Sequence, residues 1–384
     1  MKNTICLFCL VLSGCITEYI PAKISQTADI LVVEGIITND ETLITLSRST
    51  YLTDTDNGAT SPNYVSGAKI YVECDDGTQM AAEPQNPGIY LIKTGKLNYE
   101  RKYRLKIETE EKEADCNEED SPCPTKTYEY CSGFSYPIVT SEIDSVFRMQ
   151  KSRGEPVTIH VSTQSSTQSS GEYNENTVLY YLWSYVENWE IIPILPRWGY
   201  PSVCWNEKKN TGLLLGSATK TVSGNLIDDV TEIDPSDSKL SDMYRITVKQ
   251  NAISKQAYDY FSNIKKNAQQ TGSIFSPIPL ELKGNITCTT DPGIPVIGYV
   301  EVSTTTKKQL YISQRDNLYE PPPRDCQIYT VDDLKKLFNT DQIPPIPSDY
   351  TLYQEAFYDS PALYAKKYCV ECDGTTQKPD DWPN

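Results

Sequence analysis

The chain reads as mainly β: an N-terminal Ig-like or transthyretin-like antiparallel sandwich, then a second β-rich domain carrying one packed helix. Three observations lead there. Short β-branched runs recur from residue 30 to about 110, separated by Gly, Asn and Asp turns and without a helical period. Further strand-like runs begin near 136. A single 4, 3, 4 spacing of Ala257, Phe261, Ile264 and Ala268 marks one helical face over about 254–270.

Residues 30–37 (ILVVEGII) and 42–47 (TLITLS) open the first domain, the second run alternating with period two. Residues 53–66 are rich in Asp, Asn, Gly, Ser and Thr and form a loop. Strands follow at 67–74, 88–92 and 102–107, with Asp76-Gly77 as a hairpin turn after the first of them. This sandwich spans 30–135 and includes an acidic insertion around 108–126 with Glu118-Glu119-Asp120. Carboxylates so clustered can hold calcium, but the spacing lacks the D-x-[DN]-x-[DN]-G loop and reads as a solvated insertion.

The second domain spans 136–320. Its first runs are 136–139, 143–146 and 157–161, the last containing His160, the only histidine; the Ser/Thr/Gln-rich 162–176 is a loop. Four of five tryptophans then fall between 183 and 205: Trp183, Trp189, Trp198 and Trp205. Tyr181, Trp183 and Tyr185 alternate with Leu182, Ser184 and Val186, so one strand face is aromatic. Such rings are either core or a contact platform for a glycan, a peptide or another protein. For the helix, Ser254 is the N-cap, Thr271-Gly272 the stop, and Lys265 and Lys266 suit the negative end of its dipole; its apolar face is expected to pack on the second sheet. Residues 298–303 and 309–313 read as an antiparallel pair. From 321 to 384 the chain is Pro- and Cys-rich and mostly loop.

Residues 1–14 have the parts of an export signal: Lys2, then an apolar run from Ile5 to Leu12, too short to span a bilayer. Leu12-Ser13-Gly14-Cys15 reads as a lipobox, which makes Cys15 the lipid-bearing residue and 15–29 a tether. Two or three acyl chains on one cysteine anchor a protein durably, where a single chain does not. A formal charge of −17 repels phosphate backbones and argues against a nucleic-acid partner.

Of twelve cysteines, Cys6 and Cys9 leave with the leader and Cys15 carries lipid. The remaining count is odd, so at least one thiol is unpaired within the chain. Cys116 and Cys123 flank the acidic loop and could close it; Cys326 is a partner for Cys369 or Cys372. Cys369-Val-Glu-Cys372 has half a zinc motif, but a structural site needs four ligands and no second C-x-x-C remains once Cys6 and Cys9 leave with the leader. Disulfides or free thiols are therefore expected, with no metal and no cofactor.

No G-x-S-x-G, H-E-x-x-H or P-loop occurs, so no catalytic residue is assigned and the protein is expected not to be an enzyme. A glycosidase working through two carboxylates is the enzymatic alternative.

Several segments together resemble a known family: Leu31-Val32-Val33-Glu34-Gly35, Ser66-Gly67-Ala68, Ile143-Asp144-Ser145, Ser254-x-x-Ala257-Tyr258-x-Tyr260, Gly272-Ser273-Ile274-Phe275-x-x-Ile278-Pro279, Gly284-Asn285-Ile286, Gly298-Tyr299 and the tail Cys369-x-x-Cys372-x-Gly374-Thr375 to Pro379-Asp380-x-Trp382. The chain is similar to Bacteroidetes lipoproteins known as domain of unknown function 4249. The resemblance implies a lipid-anchored outer-membrane lipoprotein facing the cell exterior, commonly encoded beside a TonB-dependent transporter. It brings no ligand and no catalytic residues. The Cys-containing insertion around 108–131 departs from the pattern. The expected role is assistance to such a transporter in nutrient capture or uptake; a free-standing adhesin or structural surface protein is the alternative.

Overall fold

The computed structural model describes residues 29–49, 62–112, 125–164, 180–218, 225–270, 283–320, 326–340, 346–358, 360–372 and 374–383. The leader, Cys15, most of the tether and the loop with Cys116 and Cys123 lie outside the described residues.

The protein is mainly β, with sandwich-like sheets and few helices. The first body is one long sheet. Its order is Ile286–Cys288, Thr125–Ser132, Tyr103–Lys112, Lys69–Cys74, Gln79–Asn86, Ile89–Gly95, Asp40–Arg48, Leu31–Ile37 and Val296–Gly298. Alternation explains the runs read from sequence. Leu31 and Val33, Ile44 and Leu46, Ile70 and Val72, and Leu105 and Ile107 all point into one core. The Asp76-Gly77 turn forms as expected, with Asp76 accepting from the Thr78 amide.

The sheet curls until its two end strands touch. The Gly298 carbonyl lies so close to Gly284 that a Cβ on Gly284 would overlap it. The strand Leu31–Ile37 pairs in parallel with Val296–Gly298 and with Glu301–Val302. Residues 286–302, placed by sequence in the second domain, thus complete the first body, and Ile286, Val300 and Val302 join its core. The expected antiparallel pairing of 298–303 with 309–313 does not form. Glu301–Val302 joins the first sheet, while Thr305–Ile312 pairs with Tyr244–Ala252.

The second body packs a three-stranded sheet (Ile143–Met149, Val157–Gln164, Asn225–Ile233) on a five-stranded one. The larger sheet contains Cys204–Lys209, Leu214–Ser217, Tyr180–Ile191, Tyr244–Ala252 and Thr305–Ile312. Val157, Ile159, Val161, Tyr181, Trp183, Ile246 and Val248 fill the space between.

The helix Lys255–Gln270 leaves the strand Tyr244–Ala252 and sits where the two bodies meet. Ser254 accepts from the Ala257 amide, as an N-cap does. Tyr258 packs at a tilt against Tyr180 of the second body, while Tyr260 and Phe261 meet Tyr299, beside the first sheet.

The C-terminal part is more ordered than its Pro- and Cys-rich composition indicates. Tyr329–Thr330, Leu363–Lys366 and Tyr350–Gln354 form a small sheet with the helices Val331–Leu337 and Lys367–Val370. A Thr330–Asp333 capping box starts the first of these helices. Among the described residues, no helix is long and apolar enough to cross a membrane.

Candidate functional site: a cavity between the two bodies

The strand Leu31–Ile37 presents Val32, Glu34 and Ile36 away from its own core. The helix Lys255–Gln270 turns Phe261, Ile264 and Ala268 toward the same space, and the segment 211–214 closes a third side. Together with Ile297–Tyr299 these residues line a half-open cavity of about 760 Å³ whose lining is mostly apolar. That volume lies within the range of small-molecule sites.

Two glycines let neighbouring strands of the sheet that forms one wall pack closely. At Gly35 a Cβ would stand 2.6 Å from the Leu43 carbonyl, and at Gly298 one would stand 2.6 Å from the Val33 carbonyl. A glycine inside a strand marks such close approach.

Polar groups in the cavity are few. Tyr260 is buried, and its hydroxyl, closed off from the open space of the cavity, lies beside the Gly298 amide without a well-formed hydrogen bond. An unmet buried hydroxyl costs about 1–3 kcal/mol. Burial pushes the Tyr260 phenol above its ordinary value, with Glu34 adding to the effect, so the hydroxyl keeps its proton at neutral pH. Glu34 and Lys265 are exposed at the edge of the cavity. Asp228, whose carboxyl is pushed up by burial, feels the charge of Lys265 only as a small opposing effect.

The helix start is fixed by a buried carboxylate. Glu301 accepts from the Ser254 amide at 2.9 Å, and burial pushes its carboxyl up although the Ser254 bonds oppose this. A second, open and polar cleft of about 840 Å³ lies where Asn39–Glu41 and Lys93 face Lys249, Asn251 and Lys307.

The structure disperses the four candidate tryptophans. Trp183 is core, donating to Gln250 at 2.7 Å, so the aromatic face of its strand points inward rather than outward. Trp189 packs against that core with Lys239 over its ring. Trp205 is bridged on both sides of its backbone to Thr375 of the C-terminal tail. Only Trp198, at 99 % exposure, stands free of the fold as a contact residue must. The four do not form one platform.

The cysteines divide by body. Cys326 bonds Cys369, and Cys372 bonds Cys204, a partner the sequence did not single out. Both cysteines of the C-x-x-C pair are thus consumed by disulfides, which removes them as metal ligands. Cys74, Cys131 and Cys288 are buried thiols of the first body. His160 stacks on Phe147 and contacts Asp229 at 2.8 Å on the neighbouring strand. Among the described residues no three His, Cys, Asp or Glu side chains gather as a metal site.

Sequence reading placed Phe261, Ile264 and Ala268 on one face but not Tyr260, Tyr299 or Glu34 at a site. The available signal was Gly35 and Gly298, single glycines inside strand-like runs. No curated protein matches the chain. A family model does match, over residues 17–309, and the chain therefore belongs to the family described as Domain of unknown function (DUF4249).

Proposed function

We propose that this protein is a lipid-anchored, non-enzymatic outer-membrane lipoprotein of the cell surface, of the Bacteroidetes type, that assists a TonB-dependent transporter by capturing a nutrient in the cavity between its two bodies. The observation that carries the reading is the cavity itself: a mostly apolar space between the two bodies, lined in part by Phe261, Ile264 and Ala268 of the helix. Two disulfides support an oxidising compartment, as export through the Cys15 lipobox requires.

Two measurements test it. Cells fed labelled palmitate should label the native protein, and Cys15→Ala should abolish the label. Affinity capture from detergent-solubilised outer membrane at native expression should recover a transporter. An unlabelled native protein, or capture that recovers no transporter, counts against the respective half of the proposal.

The adhesin reading has its own observation in Trp198, held on the loop after Tyr180–Ile191. If Trp198→Ala weakens cell-surface attachment and leaves transporter capture intact, that reading takes precedence.

A further inference from the structure

The polar cleft between the two bodies holds an unbalanced pair of charges. Lys249 and Lys307 are register partners on the antiparallel strands Tyr244–Ala252 and Thr305–Ile312, and both line the cleft. Residues directly opposite each other leave the same face of a sheet, and like charges so placed repel. Both lysines are exposed, and among the described residues neither makes an ion pair or a hydrogen bond.

The facing wall does not supply the missing anions. There Lys93 stands opposite Glu41 in register and pairs with Glu83 at 3.3 Å, so Glu41 already has a cation beside it. Asp40 is the other carboxylate of the lining, and it forms no ion pair with either lysine. The floor joins the walls through a relay of side chains. Asn251 Nδ2 donates to Thr305 Oγ1 at 2.8 Å, and the Thr305 hydroxyl donates to Thr38 Oγ1 at 3.2 Å. The Thr38 hydroxyl in turn donates to the Asn39 carbonyl at 3.0 Å. Two unpaired ammonium groups are therefore held across a fixed floor from Asn39, Asp40 and Glu41, whose amide and carboxylate oxygens suit hydroxyl donors. The space, about 840 Å³, is far larger than a lone oxyanion needs.

We propose that this cleft binds a phosphorylated sugar, its phosphate between Lys249 and Lys307 and its hydroxyls toward Asn39, Asp40 and Glu41. A phosphate monoester carries nearly two negative charges at neutral pH and matches two ammonium groups, where a sulfate ester matches one. Of the lining residues only Ile36 also borders the apolar cavity, so this site goes beyond the capture role and its test does not depend on that role.

Isothermal titration calorimetry of the full-length folded protein tests it. The probes are the 6-phosphates of glucose, galactose and mannose, with glucose 6-sulfate, glucose and inorganic phosphate as comparators. At least one sugar phosphate should bind better than every comparator and weaken as salt is raised. Lys249→Gln/Lys307→Gln should lower that affinity about tenfold or more, the worth of a charge-assisted hydrogen bond. The melting temperature without sugar should hold or rise in that variant, because the repulsion is gone. Lys336→Gln, exposed on the helix Val331–Leu337 and outside the lining, should change nothing. Inorganic phosphate binding equally well would overturn the sugar, and glucose or its sulfate binding equally well would overturn the phosphate. No binding of any sugar phosphate at millimolar concentration, or an equal loss in Lys336→Gln, would overturn the site itself.

Discussion

Glu187 is 1 % exposed on the strand Tyr180–Ile191, and its carboxylate accepts from Lys239 Nζ at 3.0 Å and from the Tyr244 hydroxyl at 2.9 Å. Burial, then Glu187 itself, pushes the Tyr244 phenol far up, so it remains a donor. Removing one partner of such a pair leaves a buried charge unmatched. Glu187→Ala should therefore cost about 3–5 kcal/mol, and Tyr244→Phe a smaller 1.5–3 or so, both read by urea denaturation. Glu301 titrates in the opposite sense to a paired acid. Its folded pKa lies above the ordinary 4.5 because burial dominates, so the native state binds the proton more tightly than the unfolded chain. Stability from this group then falls as pH rises from about 4.5 through the folded value. Glu301→Gln keeps an oxygen for the Ser254 amide and should gain on the wild type over that window; parallel stability–pH curves would refute the assignment. The tryptophans show what single residues disclose. Alternation placed Tyr181, Trp183 and Tyr185 on one face but not which face is inside, because that depends on the sheet laid over it and on Gly216, where a Cβ would overlap the Trp183 ring. Trp183→Ala should cost about 3–5 kcal/mol, while Trp198→Ala should leave the melting temperature unchanged.

At the scale of elements, the helix Lys255–Gln270 links the two bodies through its cap. Ser254 uses its hydroxyl for the Ala257 amide and its own amide for Glu301. Ser254→Ala should cost about 1 kcal/mol. Gly284 is a stricter position, because the obstacle there is the Gly298 backbone carbonyl rather than a side chain that can turn away. Gly284→Ala should exceed about 2 kcal/mol and loosen the Ile286–Cys288 and Val296–Gly298 ends of the first sheet, seen as faster amide exchange in both. Leu31–Ile37, Asp40–Arg48, Lys69–Cys74, Ile89–Gly95, Tyr103–Lys112, Ile143–Met149, Val157–Gln164 and Tyr180–Ile191 were legible in sequence, as were the Asp76-Gly77 turn and the helix with its cap, whereas Gln79–Asn86, Thr125–Ser132, Asn225–Ile233 and Tyr244–Ala252, whose polar residues interrupt the apolar pattern, were not. Nor were the closing strands. Each has three residues, too short for a period to register, and Val296–Gly298 pairs in parallel with a strand more than 250 residues earlier. The cavity was illegible for the same reason: its walls come from segments that only this long-range closure brings together.

The whole molecule is held at its far end by the C-terminal segment, which lies beyond the stretch matched by the family model. Cys372 reaches back across 168 positions to Cys204, whereas Cys326 and Cys369 are 43 apart and close the small sheet on itself. Side-chain contacts reinforce the long link: the Trp382 indole donates to Glu190 at 2.7 Å and lies under Arg245, which also donates to the Asp380 carbonyl. Gly374 sits against the Trp205 carbonyl, where a Cβ would come within 2.7 Å. In a chain-entropy picture each disulfide contributes about 2–5 kcal/mol, the longer loop more. The two bonds should nevertheless fail differently. Losing Cys326–Cys369 frees one strand-and-helix unit whose core is small, consisting of Ala365, Cys369 and Val370 with Leu195 and Tyr353. Losing Cys204–Cys372 leaves that unit intact and tied to the second body through Leu195, whose amide donates to the Cys369 carbonyl, the Trp205–Thr375 bridge, Trp382 and Arg245. With Cys204→Ser/Cys372→Ser, amide exchange should rise over 374–383 and along Cys204–Lys209, while Leu31–Ile37 and Tyr244–Ala252 keep wild-type protection. With Cys326→Ser/Cys369→Ser, the rise should instead fall on 329–330, 350–354 and 363–370. Uniform loss of protection across both bodies in either variant would show that the C-terminal segment is part of one cooperative fold rather than a strap laid over two independently packed cores.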